Sequence, residues 1–272
     1  MSKSKDQTET ETTGARTRPD DIADELIARV FLGELKPGDQ LQPSRTLAVE
    51  MGVDRTSLRM ALRQLARMNV IRPVQGSGVT VLDYRECAGV EFITSVFALP
   101  DVDLGGAFLL EALGLWISVM PAISAGALSR ATPADFQRLD GFFAKQLAMI
   151  DRKASLEEIV ELELEAQHVM AKLYGSTVLT LVANTTLSLR RTLVKMLFET
   201  IDVRRHVESQ REQLHIVMTE KLTPEEIAFA YRAYLQSIVE GLRDRLAKLP
   251  LSPSRVKSRI AAKPFQTRRA YD

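Results

Sequence analysis

The feature that leaves fewest folds open is a gap of three residues. Leu47, Ala48 and Met51 belong to a short stretch at helical period that follows Pro43 and Ser44, and Leu58, Ala61, Leu62 and Leu65 belong to another. Between them stand only Gly52, Val53 and Asp54. Gly52 reads as a helix stop and Asp54 as an N-cap, so two helices must meet across a very short turn. Upstream, Asp20 and Asp21 supply cap-type residues ahead of Ile22, Leu26, Ile27, Val30 and Phe31, predicting a first helix that ends near Gly33 before the turn Lys36-Pro37-Gly38-Asp39. The third helix is expected to run to about Met68. Beyond it, Val70 and Ile71, then Val79, Thr80, Val81 and Leu82, flank the turn sequence Gln75-Gly76-Ser77-Gly78 and read as a hairpin. Helix, helix, turn, helix, hairpin is the order of a winged helix-turn-helix, whose second paired helix enters the major groove.

Charge on the third helix narrows what such a unit does. From Arg55 to Leu82 there is no Asp or Glu, while Arg55, Arg59, Arg63, Arg67 and Arg72 all fall inside the segment. Four of these recur every four residues, so their guanidinium groups lie along one stripe opposite Leu58, Leu62 and Leu65. A charge run usually does no more than solubilise a helix face. This one forgoes the helical Glu–Arg pairs that would stabilise such a face, and Thr56 and Ser57 add hydroxyls at the end where phosphate and base contacts form. A positive ridge beside a packed face suits the backbone of duplex DNA. The formal net charge is only +1, so any affinity for a polyanion rests on this local segregation.

Three ordered motifs carry a resemblance: Leu32-Gly33-Glu34-Leu35-Lys36-Pro37-Gly38-Asp39, Gly52-Val53-Asp54-Arg55-Thr56-Ser57-Leu58-Arg59, and Gln75-Gly76-Ser77-Gly78. Over about residues 20–82 the chain resembles the GntR family of regulators. The resemblance implies DNA contacts from Arg45, Arg55 and Arg59, from Thr56 and Ser57, and from the wing at Gln75, Gly76 and Ser77. Two departures bear on the operator sequence. Asp54 stands where the family usually has Ser or Thr, and Leu41-Gln42-Pro43-Ser44 departs from the common Leu-Pro-Ser-Glu order. An acid at a helix start caps it and also repels phosphate there.

From about Glu86 onward apolar residues recur at three and four spacing, which predicts about seven helices: Val90 to Phe97, Phe108 to Ile123, Phe136 to Ile150, Leu156 to Leu173, Val178 to Leu197, Val203 to Met218 and Pro224 to Leu246. This half resembles the effector domain of the FadR-type branch of the family through Gln167-His168-Val169-Met170-Ala171-Lys172-Leu173-Tyr174-Gly175-Ser176 and the last helices around His215 and Tyr234. The expected fold class is mainly α, a winged helix-turn-helix with a small β-hairpin wing followed by an all-α helical-bundle effector domain. Many members of that branch hold a divalent metal with an Asp four residues before a His and two later histidines. Here His168 and His215 stand at two histidine positions, but Leu164 replaces the Asp and Tyr234 is the candidate for the last. Glu163 and Glu165 lie three and five residues before His168, where they share its face less well than Leu164 does. No metal and no cofactor is expected. Leu113, Leu115, Trp116, Ile117, Val119 and Met120 occupy a stretch where metal-binding relatives carry a charged Arg and Glu. An apolar lining follows, with Trp116, His168, His215 and Tyr234 as effector contacts and a fatty acyl or other hydrophobic molecule as effector. Two alternatives stay open: Trp116 and its neighbours as ordinary helix packing, and a metal-dependent, organic-acid-responsive site.

Composition, with 45% hydrophobic and 26% charged residues, supports a real core and argues against global disorder. The lone Cys87 forms no internal disulfide and fits a reducing, cytoplasmic compartment. No run of about 18 uninterrupted apolar residues is present, so no membrane partner is expected. There is no Gly-rich phosphate loop, nucleophile elbow or paired-cysteine site, so an enzyme is not expected. The expected organisation is a disordered arm at 1–19, the DNA-binding domain at 20–82, a linker and first helix at 83–100, an effector-binding and dimerisation domain at 101–249, and a basic flexible tail at 250–272. The partners are a palindromic double-stranded operator, a small-molecule effector and a second copy of the chain. An architectural DNA binder without an effector is the remaining reading.

Overall fold

The computed structural model describes residues 18–74 and 78–256, which form two compact units divided between Ala88 and Gly89. Most of the N-terminal arm, the wing tip Gln75, Gly76 and Ser77, and the basic tail from 257 onward lie outside the described residues.

The N-terminal unit runs α1 (Arg18–Phe31), β1 (Gln40–Leu41), α2 (Ser44–Met51), α3 (Arg55–Arg67), β2 (Ile71–Val74), β3 (Gly78–Val81) and α4 (Tyr84–Cys87). Helix α1 begins at Arg18, before Asp20 and Asp21, so these acids occupy its first turn, where the helix dipole favours negative charge, and do not cap it. Gly52 ends α2 in the left-handed region at φ +64°, and Val53 N–H then donates to Ala48 O at 2.9 Å. Asp54 opens α3 by accepting Ser57 N–H at 2.8 Å. Packing of α3 on α1 and α2 buries Leu58, Ala61 and Leu65 together with Ile22, Leu26 and Leu47. Gln64 Nε2 donates to Asp20 Oδ1 at 3.0 Å and locks α3 against α1.

The hairpin is part of a three-stranded antiparallel sheet in the order β1-β3-β2. The added strand was not foreseen, because two residues are too few to alternate. It is held by pairing Gln40 with Thr80 and Leu41 with Val79, and by the turn before it: Gly38, at φ +88°, donates to Val81 O at 2.9 Å, and Val81 N–H donates to Asp39 O at 2.9 Å.

The second unit runs α5 (Val90–Ala98), β4 (Val102–Asp103), α6 (Gly106–Leu128), α7 (Pro133–Asp151), α8 (Leu156–Leu173), α9 (Thr177–Thr185), α10 (Leu187–Phe198), α11 (Val203–Thr219), α12 (Pro224–Ile238), α13 (Glu240–Ala247) and β5 (Ser254–Arg255). Capping boxes at Thr132/Asp135, Ser155/Glu158 and Thr223/Glu226 start α7, α8 and α12. Two of the seven expected helices are each split in two. The first break falls at Thr186, where Thr185 and Thr186 turn their hydroxyls back onto Leu181 O and Val182 O at 2.9 Å. The second falls at Val239, buried between α12 and α13.

The main core of this unit gathers Leu109, Leu113, Trp116 and Ile117 of α6 with Leu162 and Leu164 of α8, Leu193 and Leu197 of α10, and Leu235 of α12. Helix α6 is long and apolar enough to cross a membrane by length and composition, and here its buried face packs into that core. The expected flexible tail is different at its start. Gly106 N–H, left bare at the opening of α6, donates to Pro250 O at 2.8 Å, and β5 pairs with β4, so the chain just after residue 249 supplies hydrogen bonds that α6 and β4 lack.

Candidate functional site

The arginine stripe stands as its spacing requires. Arg55, Thr56, Arg59, Arg63 and Arg67 are exposed on α3, Ser57 is half-buried with its N–H held by Asp54, and Arg45 is exposed in the first turn of α2. Hydrogen bonds from Ser57 hold the Asp54 carboxyl below the usual carboxylate range, so the acid is ionised at the start of the helix. Among the described residues none of Arg45, Arg55, Arg59, Arg63, Arg67 and Arg72 has a carboxylate partner. The helical unit treats its arginines differently. Arg191 forks onto Glu161 at 2.7 and 2.8 Å, Arg211 forks onto Asp140 at 2.6 and 2.9 Å, Arg245 reaches Glu199 at 2.7 Å, and Arg204 pairs with Asp151. Unpaired guanidinium groups concentrated on one helix are free to meet phosphate or base edges.

A cavity of about 180 Å³ opens in the helical unit between α6, α7, α8, α11 and α12. Met120, Leu128, Phe143, Met170, Leu214 and Ile227 make much of its wall apolar, Met120 being the one residue of the expected apolar stretch that lines it among the described residues, and Ser124, Glu163, Gln167, Gln210, Gln213 and Tyr231 supply the polar part.

The four expected effector residues do not come together in it. Trp116 is buried in the main core with its indole N–H unpartnered. His168 is half-buried, and burial, then Lys172 and Arg190, push its pKa down. His215 is exposed in a separate, open groove of about 770 Å³ that also holds Asp140 and Arg211. The Tyr234 hydroxyl hydrogen-bonds Nδ1 of the buried His206 at 2.7 Å, and burial and the Glu163 charge hold that hydroxyl protonated. On α8 the face that reaches the cavity is Glu163, Ala166, Gln167 and Met170, one residue out of step with Leu164 and His168. The i, i+4 pair Glu163 and Gln167 carried that signal in the sequence, but an apolar residue on nearly every side of α8 hid which face mattered. Tyr231 takes the corresponding place on α12, and burial pushes its hydroxyl pKa up. Among the described residues no three His, Cys, Asp or Glu side chains group closely enough to hold a metal.

Fold and surface thus define a winged helix-turn-helix unit whose cationic third helix has no carboxylate partner among the described residues, followed by a helical unit with a cavity between its helices. Residues 19–81 match the family of bacterial regulatory proteins, gntR family, and the N-terminal unit is a GntR-type helix-turn-helix domain. The chain is 39% identical over 118 residues to an uncharacterized HTH-type transcriptional regulator of Mycobacterium tuberculosis, a match covering 43% of this chain and 46% of the relative. It is 44% identical over 64 residues to the mannosyl-D-glycerate transport/metabolism system repressor MngR of Escherichia coli, covering 24% and 27%. These matches span less than half the length of either relative. A solved structure concerned with Lar, which controls expression of the Listeria monocytogenes agr system, shares the fold at 14% identity with a TM-score of 0.50, covering 87% of this chain and 99% of that one.

Proposed function

We propose that this chain is a cytoplasmic, sequence-specific transcription regulator that binds a two-fold operator as a homodimer and is released from it by a small molecule held in the helical unit. The observation that carries the reading is the row of exposed arginines on α3 without a carboxylate partner. Arg45, Arg55 and Arg59 contact the duplex with Thr56 and Ser57; Gln75, Gly76 and Ser77, outside the described residues, are the further contacts that the GntR resemblance implies. The family match supports the DNA-binding part, and the cavity supports the effector part. A wholly structural DNA binder has no use for a mainly apolar cavity with a buried acid among the helices of its second unit. The FadR-type branch is the family setting that the all-helical second unit favours.

Arg55→Ala and Arg59→Ala test it. Each is expected to weaken binding to a promoter fragment by roughly 5- to 150-fold, corresponding to a lost contact of about 1–3 kcal/mol, while thermal unfolding stays unchanged because both side chains are solvent-exposed. Fluorescence anisotropy with specific and random duplexes reads the effect. Equal affinity of wild type for both duplexes at low ionic strength would overturn the reading.

A further inference from the structure

Among the described residues the cavity of the helical unit is lined by a single acid, Glu163, and by no Lys, Arg or His. Glu163 is 7% exposed. Its Oε2 accepts from Gln146 Nε2 at 3.1 Å and its Oε1 from Gln167 Nε2 at 3.0 Å, both neutral amides. The nearest guanidinium in this network stands one residue removed: Arg190 Nη1 donates to Gln167 Oε1 at 3.1 Å and makes no ion pair with Glu163. A carboxylate has acceptor capacity for about four hydrogen bonds, so capacity remains on Glu163, and the buried Arg190 guanidinium that shares its electrostatics reaches it only through Gln167. Ser124, Gln210, Gln213 and the Tyr231 hydroxyl add neutral acceptors along the same wall.

We propose that the cavity binds a small organic amine in its protonated form, with the ammonium group on Glu163 and an apolar body against Met120, Phe143, Met170 and Leu214. The proposal rests on the effector reading above and adds the ligand class. An organic acid or the head of a fatty acid would bring a second negative charge beside Glu163 and find no cation on the wall. An ammonium group would place a cation on the wall itself and donate to the vacant carboxylate positions, which Arg190 does not reach directly. Size suits a compact body: an apolar cavity of roughly 150 Å³ takes a benzene-sized molecule, and this one measures about 180 Å³, so a single ring fits within it.

Benzylamine, benzyl alcohol and benzoate share one shape and differ in charge, and calorimetric titration of the full chain at pH 7 separates them. Benzylamine is expected to bind at least tenfold more tightly than benzyl alcohol, and benzoate not at all. Glu163→Gln is expected to weaken benzylamine at least tenfold and leave benzyl alcohol unchanged. If that variant fails to fold, Met170→Trp, which fills the cavity and keeps the carboxylate, is expected to abolish benzylamine binding. Benzoate binding as tightly as benzylamine, full benzylamine affinity in either folded variant, or no benzylamine binding by wild type overturns the amine assignment. Promoter binding measured on the same wild-type protein tells that failure from failure of the regulator reading, because it depends on α3 and not on this cavity.

Discussion

Asp54 has two opposed effects on α3. Its carboxylate satisfies Ser57 N–H at 2.8 Å and sits at the positive end of the helix dipole, which favours folding. It also places a negative charge at the end of the helix that approaches phosphate. Asp54→Ser keeps a capping oxygen and removes the charge, so the variant is expected to unfold at the wild-type temperature and bind its operator roughly 3- to 10-fold more tightly, about the effect of one exposed charge at short range. Anisotropy titration with a melting curve on the same sample checks both halves. His206 gives a second prediction at this scale. Burial pushes its pKa down, and the Glu163 charge opposes that only in part. Below pH roughly 6.5 the unfolded chain takes up a proton that the folded chain refuses, so stability is level above that pH and falls as pH drops, with a slope of at most about 1.4 kcal/mol per pH unit for one proton. Urea midpoints from pH 7.5 to 5 should show the fall, and His206→Gln should flatten it; His168, also pushed down, leaves a residual slope. Residues of this kind were the least legible in the sequence. His206 was passed over because a lone His on a helix has no local signature, whereas Asp54 announced itself through the glycine before it and the apolar period after it.

At the scale of elements, legibility followed local chemistry. Helix α3 was readable almost to the residue because cap, period and charge all agree, and α7, α8 and α12 were marked by capping boxes. The breaks at Thr186 and Val239 were not, since neither Gly nor Pro makes them. The β4–β5 pair was equally hidden, because its partners lie about 150 residues apart in sequence and each strand has two residues. Its closeness to α6 has a testable consequence. Gly105 holds φ +76°, and a Cβ there would meet Ser252 C at 2.7 Å and Leu251 O at 2.8 Å, both backbone atoms. Gly105→Ala therefore adds left-handed strain to a backbone clash, costing on the order of 2 kcal/mol or more. Denaturant unfolding should show that loss, and a chain cut after Leu249 should show a comparable one. Wild-type stability in both variants would mean that the crossing segment contributes nothing to the bundle.

At the scale of the molecule, a winged helix reads only one half-site, so the proposed two-fold operator calls for two copies of the chain. For the proposed homodimer, helix α9 is the surface expected to join them. None of its nine residues is buried, yet Val178, Leu181 and Val182 stand at one-face helical spacing and are 71%, 59% and 45% exposed. A helix this short does not hold its shape in water by propensity alone, and apolar side chains at that exposure are stabilised when a second copy covers them. Leu181→Glu puts a charge in the middle of that face and removes nothing from the core of the unit. The variant is expected to run at half the wild-type mass by light scattering while its circular dichroism is unchanged. It should then lose more than tenfold in affinity for a two-fold operator, because the two half-sites no longer act through one effective concentration, and keep the affinity of a single unit for one half-site. Arg55→Ala should do the reverse, leaving the dimer intact and weakening both sites. A Leu181→Glu protein that stays dimeric at micromolar concentration would place the contact between copies on another face, such as that of Leu115 and Val119 on α6, and α9 would then need a different partner.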